Sequence, residues 1–323
     1  MHYMVWNAFA ALLACSADDR FHSWCTEVGI ETPLARLHTT PKSIAGRGVF
    51  ATELIRKGEA AIIIPKDVVL YEKTGTRAFP KIARTVEKKK RRFENRHKWW
   101  NQVLGRNAGE FEFLRPSDFW QAELTAYSLA SIETGHIWAD WISQWQRDDP
   151  VQKLYANDVS WADGDALSTC VDELHEMLPD VSKYKLRAAV EIRLRRLDEL
   201  KRVFGFRGAN SISMHGILLS RAIDLGEGVT GLIPMFDMLN HSDQPNLAMS
   251  FDGSNFELLA VRDIENGEEL FVSYRDTNGN DEWDEDSAVW ALVQWGIPLR
   301  KTAAGAIPSY EQQKLQSSFA LSH

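Results

Sequence analysis

The sequence predicts an α+β protein in which two strand-rich segments flank a helical block. Three observations point there. Residues 43–65 alternate turn and strand signals, residues 117–205 carry apolar side chains at helical spacing, and residues 231–274 return to short strands that end on Tyr274. At 323 residues the chain has the length for one large domain or two. With 44% apolar residues it can bury a full core without disulfide or metal staples.

The first stretch, MHYMVWNAFAALLACSADD, is apolar but too short to span a bilayer and lacks the basic start of a secretory signal. It reads as a first helix running on into Phe21–Cys25, with a weak targeting segment as the alternative. Gly46-Arg47-Gly48 then precedes a strand over Val49–Ala51. Its two glycines permit close backbone approach to a ligand, although a plain turn explains them equally. Arg56–Glu59 reads as a turn, and Ala61–Ile64 as a second strand closed by Pro65.

Residues 77–100 are basic, with Lys88 to Arg92 in one run. The run reads as a solvated helix face or a mobile loop; a nuclear localisation signal or an anion patch is the functional alternative. Ser117-Asp118 is placed to cap a helix over the following FWQAELTAYSLASIE. Trp138, Trp141 and Trp145 fall at spacings of three and four, one helix face facing a core. Tyr184–Phe204 is the clearest helix: Leu186, Val190, Leu194, Leu197 and Leu200 share a face, and Gly205 ends it. A further helix over Ser211–Ile223 would carry Ser220-Arg221, and Ala288–Trp295 gives a last short helix ending at Gly296.

Charge and cysteine content narrow the function classes. A net charge of −8 argues against a general nucleic-acid binder. Cys15, Cys25 and Cys170 form neither a CxxC nor a zinc pattern. Asp276, Asn278 and Asn280 resemble a calcium loop, but Asp281 stands where the sharp turn needs glycine and Ser287 where the bidentate glutamate belongs, so calcium is rejected. Asp237, Asn240, His241 and Asp243 form a polar cluster after an apolar run. By residue type alone it is a turn that satisfies its own backbone. A metal site would need a second histidine, for which His215 is the near candidate.

The ordered combination is more specific. Ala45-Gly46-Arg47-Gly48-Val49-Phe50-Ala51, Ser220-Arg221, Leu232-Ile233-Pro234, Asp237-Met238-Leu239-Asn240-His241-Ser242 and Glu268-Glu269-Leu270-Phe271-Val272-Ser273-Tyr274 follow one another. Over about residues 21–297 this resembles the SET-domain protein methyltransferases, within the Rubisco lysine methyltransferase-like branch, whose SET domain is split by a helical insert. The resemblance implies small twisted sheets from both halves of the chain and a knot-like C-terminal crossing. It implies these boundaries: residues 1–20 as the N-terminal helix or targeting segment, 21–80 as the first half of the SET domain, 81–210 as the insert, 211–298 as the second half, and 299–323 as a tail or remnant of a substrate-binding domain.

The resemblance also implies roles. The cofactor is S-adenosyl-L-methionine, lying along Gly46, Arg47 and Gly48. Arg221 would meet its carboxylate, an anion that suits a guanidinium fork. Asn240 and His241 would hold its amino and adenine ends, and Asp237 would fix the turn beside them. Tyr274 is the implied catalytic residue, with Phe236 and Trp295 on the substrate side. The implied reaction is N-methylation of a lysine on a non-histone protein, with histidine as the alternative acceptor. The implied partner is a protein substrate, with a basic target sequence suited to the acidic loop 275–286; no nucleic acid or membrane is required, and a monomer is expected. Cytoplasm or nucleus is the expected location, with a plastid if the source is photosynthetic. The sequence departs from the pattern at Ala45, where relatives often have glutamate, and at Trp295-Gly296-Ile297, where lysine enzymes commonly have Tyr-Gly-Phe. Those departures leave a second class open, a binding module that kept the fold and lost activity. A metal hydrolase at Asp237 and His241 is a third.

Overall fold

The computed structural model describes residues 17–39, 47–104, 116–145, 149–274 and 285–297. Ala45, Gly46, most of the apolar N-terminal stretch, the calcium-like loop and the tail therefore lie outside the described residues.

Helix α1 (Ala17–Glu27) realises the predicted first helix from Ala17 onward. It buries Phe21, Trp24 and Cys25 in the main core. The His22 ring accepts the Leu37 amide at 2.8 Å and so ties α1 to strand β1 (Ala35–Thr39). Strand β1 pairs antiparallel with β2 (Arg47–Ala51). Strand β3 (Ala60–Pro65) follows the Arg56–Glu59 turn, in which Gly58 takes φ 88°. Strand β4 (Leu70–Tyr71) leads into the helices.

Between β4 and the next strand the described residues form helices and their connections: α2 (Glu72–Ala78), α3 (Pro80–Leu104), α4 (Phe119–Thr134), α5 (Ala139–Ile142), α6 (Pro150–Ala156), α7 (Gly164–Met177), α8 (Lys183–Phe204) and α9 (Ala209–Leu219). Helix α8 follows its periodicity closely. Ser182 caps it through the Lys185 amide, Leu186, Val190, Leu194, Leu197 and Leu200 are buried, and Gly205 ends it at φ 74°. Gly75 in α2 is required by packing, because a methyl group there would sit 2.2 Å from the Tyr127 ring.

Four local expectations are corrected. The tryptophan face is not one helix, since only Ala139–Ile142 is helical; all three indoles are nonetheless buried. The Ser117-Asp118 cap is a 3-10 turn over Pro116–Asp118 that makes no side-chain cap bond, because Asp118 already has helical dihedrals. The basic run is the expected exposed helix face at Lys88, Arg91 and Arg92, in α3, and the correction is confined to two lysines that face inward: Lys90 pairs with the buried Glu123 and Lys89 donates to the Phe204 carbonyl. Helix α9 stops at Leu219, so Ser220-Arg221 lie just past its end and Ile223 opens strand β5 (Ile223–Asp224) instead.

Strand β6 (Thr230–Leu232) sits between β4 and β5, antiparallel to both. Strands β8 (Leu247–Phe251) and β9 (Asn255–Ala260), two of the short strands expected over residues 231–274, form an antiparallel hairpin. Its turn is closed by the Asp252 carboxylate, which accepts the Ser254 and Asn255 amides, both at 2.7 Å. Strand β9 also pairs antiparallel with β3, so the two ends of the chain share one sheet in the order β3-β9-β8. The remaining pair is β7 (Asn240–His241) parallel to β10 (Phe271–Val272). Asn240-His241 is therefore strand and not only turn, and Tyr274 lies two residues beyond β10. Helix α10 (Glu285–Trp295) ends at Gly296, φ 73°.

Two large apolar clusters result. One joins α1, the strands and parts of α4 and α5, and the other joins α6 to α10. Tyr274 packs on the first cluster and Trp295 on the second.

Candidate functional site

The site forms where three distant segments meet. The chain from Glu268 to Val272 is held on both sides: the Leu270 amide donates to Val49 of β2 at 2.8 Å, while Phe271 and Val272 pair with Asn240 and His241. Asn240 closes the third side. Its amide nitrogen donates to the Arg47 carbonyl at 3.0 Å and to the Glu269 carboxylate at 2.6 Å. The glycine-flanked strand, the Asn-His strand and the segment leading to Tyr274 are thus one hydrogen-bonded junction. Gly48 lies in it, opposite His38 on β1. Gly46 falls outside the described residues.

Tyr274 is fixed from three directions. Its hydroxyl donates to the Leu239 carbonyl at 2.6 Å and its amide donates to His241 Nδ1 at 3.1 Å. Its ring lies 5.4 Å from that of His241 and meets Trp295 edge-on at 5.6 Å. Burial pushes the hydroxyl pKa up to about 12, so the phenol is neutral in the ordinary working range. Because His241 Nδ1 accepts the Tyr274 amide, the neutral imidazole carries its proton on Nε2, which lies 3.5 Å from Asp243.

Arg221, predicted to meet a carboxylate, lies on Asp237. One guanidinium nitrogen is 2.6 Å from the Asp237 carbonyl and 3.3 Å from its carboxylate. The Trp141 indole also donates to that carboxylate, at 3.0 and 3.2 Å to its two oxygens. Burial raises the Asp237 carboxyl above its ordinary value, against the pull of Arg221 and Trp141. The guanidinium lies over the Trp145 ring, 5.8 Å from its centre. The turn that presents Asp237 is strained: Met235, which is not glycine, has φ 66°. Phe236, the other substrate-side candidate, is buried in the core on which Tyr274 packs. The Arg47 side chain points to Gln144 and Asp18, linking the site to α1 and the segment after α5.

His215 lies away from this junction, between Thr125 and Tyr155. It is buried, meets Thr125 at 3.3 Å and lies edge-on to the Tyr155 ring, 6.0 Å between centres. Burial and the charges of Arg193 and Arg196 push its pKa down to about 3. Among the described residues no group of three histidine, cysteine or carboxylate side chains could hold a metal ion.

Two groups of residues were missed from sequence. Asn246 is fully buried and latches the Tyr274 segment, accepting the Phe271 amide at 2.7 Å and donating to the Glu269 carbonyl at 2.8 Å. Glu269 is buried against Asn240. The available signal was a glutamate pair directly before an apolar strand, a position where a buried acid needs a partner. Trp141 was read only as core; it is core, and its indole N–H also serves Asp237.

Comparison with known proteins gives the context. A family model described as SET domain matches residues 46–275, most of the chain. Histone-lysine N-methyltransferase SMYD3 of Homo sapiens is 47% identical over 53 residues, 16% of this chain and 12% of that protein. N-lysine methyltransferase setd6 of Salmo salar is 23% identical over 260 residues, 79% of this chain and 53% of that protein. The chain thus spans about half the length of this longer-matching relative. Among solved structures, the SET domain of LSMT bound to lysine and AdoHcy aligns with a TM-score of 0.48 at 14% identity, covering 87% of this chain and 57% of that one. Rubisco LSMT bound to AdoMet aligns with a TM-score of 0.48 at 15% identity, covering 88% and 56%. The match to the family model spans both strand-rich halves and the helices between them, and on that ground the chain belongs to the SET-domain family.

Proposed function

We propose that the protein is an S-adenosylmethionine-dependent protein-lysine N-methyltransferase acting on a non-histone protein. The observation that carries this reading is the single junction of Arg47-Gly48, Asn240-His241 and Tyr274, held by the Asn240 amide and the Tyr274 hydroxyl. The residues fit the cofactor. A buried guanidinium, Arg221, suits a carboxylate, while the Leu239 carbonyl, the Tyr274 oxygen and the faces of Tyr274 and Trp295 suit a cationic sulfonium. When bound, S-adenosylmethionine supplies an electrophilic methyl group to an amine approaching in line.

The chain's residues have three tasks. Backbone at Arg47-Gly48, with Arg221, Asp237, Asn240 and His241, holds the cofactor. The Asn240 amide nitrogen donates to Arg47 and Glu269, so its own contact to a ligand runs through other atoms. Tyr274 receives the acceptor: its proton is committed to Leu239, which leaves the phenol oxygen to accept an N–H from the incoming amine. Trp295 and Phe236 bound the apolar side. A lysine amine has a free pKa of about 10.4 and reacts only when neutral; a dry aromatic passage favours that form. Much of the acceleration then comes from orientation. Glu285 and Asp286 at the start of α10 are both paired with Lys185, at 2.7 and 2.8 Å, so a basic target context rests on the acidic composition of residues 275–286.

The test labels an extract with radioactive methyl cofactor and compares wild type with Tyr274→Phe. A labelled protein band present only with wild type supports the reading. Cofactor binding without transfer to any protein leaves a binding module, and absence of cofactor binding in calorimetry overturns the proposal.

A further inference from the structure

The basic run singled out in the sequence has no part in the site described above. Helix α3 contains nine lysines and arginines against two glutamates, a local +7, which leaves −15 on the other 298 residues of a chain whose net charge is −8. The helix buries Val86 and Phe93. Lys89 and Lys90 turn toward that side, to Phe204 and Glu123. The other seven cations, Lys81, Arg84, Lys88, Arg91, Arg92, Arg96 and Lys98, are all exposed. At about 100° per residue, Lys81, Arg84, Lys88, Arg91 and Arg92 fall within an arc of roughly 100° opposite Val86 and Phe93. Their ties within the helix are local and solvated: Arg91 to Glu87 at 2.8 Å, and Arg84 to the Pro80 carbonyl.

We propose that this outer face of α3 is a docking surface for an acidic segment of a protein partner. Its charge is opposite to that of the rest of the molecule, and because the cations are gathered on one exposed face they set up a local field that attracts an anion. From Lys81 to Arg92 the face is roughly 17 Å long at 1.5 Å per residue. An extended peptide of about five residues matches that length. Between Lys81 and Arg96 the arc holds only charged and polar side chains, with nothing apolar to enter a bilayer. A long polyanion such as duplex nucleic acid would run off the helix onto a body carrying −15, where it is repelled. A short acidic peptide escapes that penalty.

The experiment measures fluorescence anisotropy of a labelled oligoglutamate peptide with the full chain, using a glycine-serine peptide of equal length as control and a short DNA duplex as competitor. The oligoglutamate should bind, and binding should weaken as salt screens the face. K88E/R91E/R92E should reduce affinity by about tenfold or more, as expected when rim charges that attract a partner are reversed. The milder K88Q/R91Q/R92Q variant should weaken binding in the same direction, and an unchanged melting temperature in it shows that the loss is not unfolding. Peptide binding unaltered in both variants overturns the proposal. So does a duplex that binds more tightly than the peptide, which would assign the face to nucleic acid.

Discussion

The helical block and the strand junction are held together by different forces. Helix α8 keeps its place by an apolar stripe of Leu186, Val190, Leu194, Leu197 and Leu200, each buried. The junction around Tyr274 uses strands of two residues, too short to hold by ladder bonds alone. There the geometry rests on a few side-chain bonds, from Asn240, His241, Asn246 and the Tyr274 hydroxyl. Apolar stripes are redundant and tolerant of shape, whereas single polar bonds are directional. Stability is therefore spread over the helices, and positioning is concentrated at the junction.

That division can be broken by experiment. Leu194→Ala should cost about 2–5 kcal/mol in a denaturant melt, since a fully enclosed leucine leaves a cavity; turnover per folded molecule should stay near wild type. Tyr274→Phe should do the reverse, losing about 10²–10³-fold in turnover, the scale seen when a single positioned hydrogen-bonding group is removed from a site, while the melt shifts less than for Leu194→Ala. Equal loss of stability and activity in both variants would erase the distinction. Asn246→Ala tests the boundary: it leaves the Phe271 amide and the Glu269 carbonyl without their buried partner, so about 3 kcal/mol of stability should go, with weakened cofactor binding by calorimetry.

A pH effect sharpens the comparison from the helical side. His215 binds its proton more weakly in the folded chain, so its contribution to stability is complete above pH 6.5 and is lost as pH falls from 6.5 toward about 3. Within that window this one group should remove about 1.4 kcal/mol per pH unit. His215→Gln should flatten that slope in melts across the window and leave Tyr274 chemistry alone. The smallest effect is expected at the surface pair Lys183–Asp172, where both partners are more than half exposed; its removal should change stability by less than about 1 kcal/mol.

The two regions were also unequally legible. Helix α8, the β8–β9 hairpin and strands β2 and β3 follow from periodicity and turn residues, which act over neighbours in sequence. Strands β4, β5 and β7 were not legible individually, because two residues carry no alternation; the strand before Tyr274 was expected and is β10, ending two residues short of the tyrosine. The end of α9 was overrun because Ala222-Ile223 continue an apolar pattern that in fact enters a strand. Asn246 and Glu269 gave no sign of their partners, which lie 25 and 29 residues away in sequence.

By itself the sequence determined the long helices, through local periodicity, and the order of the motifs. The identity of the site candidates Arg47, Arg221, Asp237, Asn240, His241 and Tyr274 came from the resemblance of those ordered motifs to a known family, since residue type alone left an unassigned polar turn. Tertiary structure alone decided that Arg221 would lie against Asp237, that Trp141 would join them, and that the Tyr274 hydroxyl would meet Leu239. The reason is physical: a buried charge or hydroxyl takes whichever partner the packed chain brings within about 3 Å, and that proximity is set by the closing of sheets and helices far apart in sequence.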